Sequence, residues 1–282
     1  MHKALMPVLT AIFCHAALAT APAPEEVRFA SLDGTELKAW VFQPAATEAP
    51  HGTVVALHGC GGLYATSGAR QGLLNARHQA MADRLVEAGY TVVFPDSLTP
   101  RGVREICTQK INQRAITQRE RRRDVLATLN WVQAQPWGRG GKVALLGWSN
   151  GGSALLAATD GNNPEVKAQT ARFATAIAFY PGCNASLKSG YVPNTSLTLL
   201  VGEKDDWTPA APCVALGQSV GARVTVFPDS YHDFDNPAGR LRVRADVPNG
   251  VHPGQGVHVG PNPEARDRAN ALVLERLKDA LH

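Results

Sequence analysis

The stretch VALLGWSNGG, residues 143–152, decides how this chain is read. Val143 to Leu146 form a short apolar run of the kind that fills a buried strand. The small residues after Asn150 suit a helix. Between them Ser149 sits in Gly147-Trp148-Ser149-Asn150-Gly151. A sharp strand-to-helix turn crowds backbone atoms, and glycines on both sides relieve the crowding. The residue at the tip then projects its side chain out of the sheet. This G-x-S-x-G pattern, with a strand before and a helix after, is a nucleophile elbow. A glycine turn with a capping serine is the competing reading, and the flanking strand and helix speak against it.

Outward from the elbow, strands and helices alternate. Val27 to Ala30, Glu36 to Phe42, Thr53 to Leu57, Thr91 to Phe94, Lys142 to Leu146, Thr175 to Tyr180, Leu197 to Val201 and Val224 to Phe227 read as strands. Asn75 to Ala88, Asn112 to Gln135, Asn150 to about Thr159, Ala210 to Val220 and Glu264 to Leu281 read as helices, the last with Leu272, Leu274, Leu277 and Leu281 available for the core. Short apolar strands separated by helices predict an α/β fold, a mostly parallel central sheet with helices on both faces. No internal repeat or linker divides the chain. Residues 235–263, rich in Gly and Pro, read as a long irregular stretch that forms part of a lid.

A serine hydroxyl is a poor nucleophile until a base takes its proton. In the order serine, acid, histidine, the acid should follow a later strand. Leu199-Leu200-Val201-Gly202-Glu203-Lys204-Asp205-Asp206 fits that slot; Asp205 is the chosen acid and Asp206 its rival. Among the nine histidines, His232 satisfies the order and lies just past a strand end. His58-Gly59-Cys60-Gly61-Gly62, after an early strand, is where an oxyanion donor is expected. The N–H of Cys60 or its neighbour Gly59 would serve, with that of Asn150 as the second donor. Tyr180, Trp207 and Tyr231 flank strand ends that carry site residues and are candidate pocket walls. Arg240, Arg242 and Arg244 alternate and would face one way if extended, which could favour an acidic substrate; a solvated face is the preferred reading. Arg119 and Arg121-Arg122-Arg123 read as wet helix surface.

The bulk properties agree with a globular enzyme. Hydrophobic residues make up 44% and charged residues 18%, and the net charge is +4. No basic tail interleaved with aromatics points to nucleic acid. Met1-His2-Lys3, the apolar run from Ala4 to Leu18 and Ala17-Leu18-Ala19 read as a secretory signal peptide over residues 1–19. Phe13 before Cys14 is too bulky for a lipid anchor, so no membrane anchor is expected. Export to the periplasm or beyond leaves Cys60, Cys107, Cys183 and Cys213, an even count that favours two disulfides. Three pairings are possible, of which Cys60–Cys107 and Cys183–Cys213 are preferred because each would join neighbouring loops or elements. No spacing supports a zinc site, and no metal is expected.

His58-Gly59-Cys60-Gly61-Gly62-Leu63, Asp96-Ser97 with Arg101-Gly102, Gly147-Trp148-Ser149-Asn150-Gly151-Gly152, Gly202-Glu203-Lys204-Asp205-Asp206 and Tyr231-His232-Asp233-Phe234 together resemble the dienelactone hydrolase family of α/β-hydrolases. The resemblance spans roughly Val27 to Leu281. It implies one α/β-hydrolase domain over residues 20–282 and a cofactor-free attack on a small-molecule ester or lactone. The founding members use a cysteine nucleophile and are cytoplasmic, whereas this chain carries Ser149 behind an export signal. Serine members look closer to general esterases and to the hydrolase domain of prolyl-oligopeptidase-like peptidases. A peptidase, and a non-catalytic binding protein on the same fold, are the alternatives.

Overall fold

The structure, a computed structural model, describes residues 21–45 and 50–282. The expected signal peptide over residues 1–19 lies outside the described residues. In chain order the elements are β1 (Glu25–Ala30), β2 (Glu36–Phe42), β3 (Thr53–Leu57), α1 (Ala76–Glu87), β4 (Thr91–Asp96), α2 (Gln118–Ala134), β5 (Val143–Trp148), α3 (Asn150–Ala158), α4 (Pro164–Lys167) and β6 (Thr175–Phe179). There follow α5 (Asn184–Ser189), β7 (Ser196–Gly202), α6 (Ala210–Val220), β8 (Arg223–Phe227), β9 (Arg242–Arg244), β10 (Val257–Val259) and α7 (Pro263–Leu281).

Eight strands form one sheet in the order β1-β2-β4-β3-β5-β6-β7-β8. The β1–β2 and β2–β4 pairings are antiparallel and the others parallel. Both faces are covered, so β3, β4, β5 and β6 are buried along their whole length. That is why they read as unbroken apolar runs rather than alternating ones. Strand side chains still point to opposite faces in turn. Val54 and Ala56 join the core under α1 and α7, with Met81, Leu85, Val273 and Leu277. Val55 and Leu57 join the core under α2, α3 and α6, with Val125, Leu129, Leu155 and Leu216. Each fully buried side chain of this size contributes about 1.5–3 kcal/mol. The chain leaves β3 for β4 on one side and later adds β5 on the other. Strand order therefore reverses at β3, and a crevice opens beyond the carboxyl ends of β3 and β5, where ligands bind in open sheets of this kind.

Three sequence expectations are corrected. The long helix begins at Gln118, not Asn112, and residues 111–113 form a separate 3-10 turn. Thr117 caps α2, and Glu120 accepts back from the Thr117 N–H at 2.9 Å, a capping box that sets the start. In α7, Val273 rather than Leu272 or Leu274 is fully buried beside Leu277. Residues 235–263 are not irregular throughout: β9 and β10 pair as an antiparallel hairpin. Its base is tied to the body by the Val251 and Gly260 N–H groups, which donate to Asp206 O and His232 O at 2.8 and 3.0 Å.

Cys60 bonds Cys107 and Cys183 bonds Cys213, with Cα–Cα distances of 4.9 and 5.0 Å. The first bridge joins the loop after β3 to the loop after β4. The second joins the loop after β6 to α6. Among the described residues no helix is long and apolar enough to cross a membrane.

Candidate active site

Ser149 stands between β5 and α3 with φ 51° and ψ −115°. A non-glycine residue in that region is strained and persists only where its surroundings enforce it. The Ser149 N–H donates to Phe179 O, and the Ser149 carbonyl accepts from Ser153 N–H, both at 2.9 Å. The neighbouring glycines are needed for close approach. A Cβ on Gly147 would come within 2.7 Å of Gly151 O, and one on Gly151 would overlap the carbonyl oxygens of Leu57 and His58. Only hydrogen fits between the elbow and the end of β3.

His232 follows β8 and reaches back over the sheet. Its Nε2 lies 3.0 Å from Ser149 Oγ and its Nδ1 lies 2.8 Å from Asp205 Oδ2. Asp205 is an acceptor only, so Nδ1 carries the proton and Nε2 can receive one from the serine. Asp205 is itself fixed by the turn after β7: its Oδ1 accepts the N–H groups of Trp207 and Thr208 at 2.9 and 2.8 Å. Thr208 Oγ1 sits within 3.0 Å of Asp205 Oδ2 and donates to Tyr180 O at 2.9 Å. Burial works to lower the His232 pKa, but the Asp205 carboxylate and its hydrogen bond outweigh it and hold the value above the ordinary one. Asp206 turns away. It accepts from the N–H of His258 at 2.8 Å and from its Nδ1 at 2.6 Å, anchoring β10.

The aromatic residues divide. The Tyr180 and Trp207 rings pack on the His232 imidazole, with centroids 4.4 and 4.6 Å away. Trp207 borders the cleft. Tyr180 does not: it is fully buried, with its hydroxyl donating to Asp235. Asp235 also accepts from Trp148 Nε1 at 2.7 Å. Tyr231 is not at the cleft either, and stacks on His258 at 5.0 Å.

On the other side of Ser149 lies the loop after β3. A Cβ built on Gly59 would stand 3.5 Å from that of Ser149. His58 is buried, its Nε2 accepting the Ser97 N–H at 3.2 Å and its Nδ1–H donating to Gly59 O at 2.8 Å. Burial, with the nearby Arg121 charge, holds the His58 pKa well below the ordinary value, so the ring is neutral. Among the described residues the N–H groups of Cys60 and Asn150 have no protein acceptor. Arg121 is not the wet surface residue its neighbours suggest. It is buried, donating to Asn150 Oδ1 and to His58 O, both at 2.7 Å. Position would have exposed it: with α2 starting at Gln118, residue 121 shares a face with Val125 and Leu129. Arg122 and Arg123 do face outward, both pairing with Glu165.

Two chambers meet at Ser149, sharing Cys60 and Trp207. One, of about 330 Å³, is bordered by His232, Asp233, Arg77, Arg242 and Arg244. The other, of about 400 Å³, is bordered by Ser153, Gly182, Ile111 and Val251, among others. Arg242 and Arg244 thus face the cleft, whereas Arg240 does not. Arg244 pairs with Asp246 and Arg77 with Asp233, both at 2.6 Å. The hairpin stretch borders both chambers. Asn249 fastens it, donating to Gln109 O at 2.9 Å and accepting from Ile111 N–H at 3.2 Å. Among the described residues no cluster of His, Cys, Asp or Glu could hold a metal.

The comparisons with known proteins bear on this arrangement. No curated protein matches the chain. Solved structures share its fold. Dienelactone hydrolase from Anabaena variabilis aligns with TM-score 0.61 and 18% identity, covering 92% of this chain and 99% of that one. A dienelactone hydrolase-like promiscuous phosphotriesterase from metagenomic libraries aligns with TM-score 0.65 and 19% identity, covering 92% and 99%. Thermogutta terrifontis esterase 2, phosphorylated by paraoxon, aligns with TM-score 0.62 and 14% identity, covering 92% and 94%. The family model described as dienelactone hydrolase family matches residues 37–281. The fold, the strand reversal at β3 and that match together make the chain an α/β-hydrolase acting on ester bonds: it belongs to the dienelactone hydrolase family.

Proposed function

We propose that the chain is a serine hydrolase that cleaves carboxylic esters or lactones through an acyl-enzyme, with Ser149 as nucleophile. The observation that carries this is the continuous line from Ser149 Oγ to His232 Nε2 (3.0 Å) and from His232 Nδ1 to Asp205 Oδ2 (2.8 Å). His232 takes the hydroxyl proton as Ser149 attacks the carbonyl, and Asp205 holds the ring in the required tautomer and stabilises its cation. The tetrahedral oxyanion is met by the N–H groups of Cys60 and Asn150. Collapse of the intermediate breaks the ester bond, and His232 protonates the leaving alcohol. Water, activated by the same imidazole, then releases the acid and restores the serine.

His232 borders only the smaller chamber, so the alcohol departs on that side and the acyl group occupies the larger one. The walls there fit those parts: guanidinium groups beside the leaving group, Ile111 and Val251 beside the acyl chain. Residues 20–282 act as one domain, with residues 1–19 as an export signal. The two disulfides suit an oxidising compartment. The phosphorylated esterase among the fold neighbours suggests that an organophosphate would phosphorylate Ser149 here, expelling its leaving alcohol. The test is a fluorophosphonate probe and a p-nitrophenyl ester assay. The wild type should label and turn over, and Ser149→Ala should do neither. An active Ser149→Ala protein would overturn the assignment.

A further inference from the structure

Arg121 is a cation in the interior whose charge the proposed chemistry has not used. It is 1% exposed. Its hydrogen-bond partners among the described residues are both neutral oxygens, and Asp124 and Asp96 act on it only through space. Burial pulls its pKa down to about 10, still far above neutrality. A buried cation without a contacting carboxylate is expensive, and a leucine would cover the same helix face more simply. The guanidinium Nε is even left without a partner. The fork is aimed instead at two acceptors, and those acceptors belong to the two segments that flank Ser149.

One acceptor is the His58 carbonyl, at the root of the loop after β3. The next peptide, Gly59–Cys60, has its own carbonyl held by the His58 ring at 2.8 Å. A trans peptide directs its N–H opposite to its C=O, so this contact turns the Cys60 N–H away from the imidazole. The other acceptor is the side chain of Asn150, whose backbone N–H is the second oxyanion donor. A planar guanidinium holds two acceptors at a fixed spacing, which a lysine ammonium does not. It also sets a positive charge against the side chain of the residue that follows the serine.

We propose that Arg121 is a positioning residue of the oxyanion site, clamping His58 and Asn150 so that the N–H groups of Cys60 and Asn150 converge on one oxygen. The proposal rests on the assignment of Ser149 as nucleophile. It places the effect in the transition state rather than in substrate binding. Loosening the clamp should lower kcat and leave KM nearly unchanged.

The test uses Arg121→Gln, Arg121→Lys and Asn150→Ala, each assayed on a p-nitrophenyl ester and on the matching thionoester. A thionoester develops its negative charge on sulfur, which fits an oxyanion site poorly. A working site therefore gives a high ratio of oxoester to thionoester turnover, and a merely destabilised fold does not change it. Arg121→Gln should lower kcat on the oxoester by about 10²-fold, with the ratio falling about 10-fold. Arg121→Lys, keeping one contact, should fall between. Asn150→Ala removes one acceptor at the cleft and should lower the ratio in the same direction. Should Arg121→Gln fail to fold, Asn150→Ala decides. An unchanged ratio in the folded variants, with Ser149→Ala inert, overturns the clamp and leaves the nucleophile assignment standing. A Ser149→Ala protein that still turns over overturns both.

Discussion

Asp205 and Asp206 are adjacent in the chain, yet each holds a different histidine: Asp205 Oδ2 lies 2.8 Å from His232 Nδ1, and Asp206 Oδ2 lies 2.6 Å from His258 Nδ1. With Asp205 as the proposed acid, Asp205→Asn should lower kcat by about 10⁴-fold, as loss of the acid does in known serine-hydrolase triads. Asp206→Asn should leave kcat within about fivefold, because a half-exposed pair of that kind is worth about 1 kcal/mol or less. Steady-state kinetics of the two variants separates them, and equal losses would contradict the division of roles.

In the proposed mechanism ester turnover requires neutral His232. Its pKa is raised by Asp205, so protonation begins at a higher pH than for an ordinary histidine. The acid limb of kcat/KM should have its midpoint above the usual value of about 6.5. His58 and His78 are held well below their ordinary values and add nothing to that limb. In Asp205→Asn the main raising influences are gone, Asp233 keeps a smaller one and burial remains, so the residual activity should titrate at lower pH. A limb that does not move would remove His232 from the rate-controlling step.

Thiol titration of the full chain, unfolded without reductant, should find no more than one thiol, since four of the five cysteines are bridged. The Cys60–Cys107 bridge spans 47 residues in sequence. Closing a loop of that length stabilises by about 4 kcal/mol on the chain-entropy picture. Chemical denaturation of a Cys107→Ser variant checks the magnitude.

Gly151→Ala adds one methyl group where the backbone oxygens of Leu57 and His58 already touch the elbow. Overpacking of this kind costs about 1–3 kcal/mol, and here the displacement falls on Ser149. Activity should drop more than stability. Thermal melting beside ester hydrolysis measures the difference. A fully active Gly151→Ala protein would show that the contact is slack.

Among the described residues Arg242 borders the smaller chamber, proposed to take the leaving group, without an ion pair, whereas Arg244 and Arg77 are paired. An ester of a carboxylate-bearing alcohol should be turned over at low salt up to about fivefold faster than its neutral counterpart, given the exposure of the site. Added salt should erase the difference. Arg242→Ala should erase it as well, and equal rates at low salt would dismiss the chamber's charge as a determinant.

Much of the fold was legible because buried parallel strands leave a plain signature. Thr53 to Leu57 and Leu197 to Val201 are apolar without alternation, and both lie in the sheet interior. The elbow could be read because glycine is required at 147 and 151 by contact, and contact of that kind constrains composition. Roles set by long-range packing were not legible. Tyr180 looked like a cleft wall, since nothing local announces that its hydroxyl is captured by Asp235, 55 residues on. Arg121 sat in a run of three arginines whose other members face water. Its partners lie 29 and 63 residues away. The capping box at Thr117 and Glu120 was visible in sequence and would have placed the helix start correctly. The β9–β10 hairpin was hidden by its Gly/Pro content and by strands of three residues each.

Ser149, Asp205 and His232 all stand just beyond the ends of strands in the main sheet. Part of the chamber wall comes from elsewhere, from the stretch around Ile111 and from the hairpin fastened by Asn249. Those outer walls and the residues proposed for the chemistry therefore occupy separable parts of the chain. Insertions or exchanges in those outer walls can reshape the cleft while Ser149, Asp205 and His232 keep their geometry. A scaffold arranged in this way can acquire new substrates in nature, or in a laboratory selection, by drift at its rim alone.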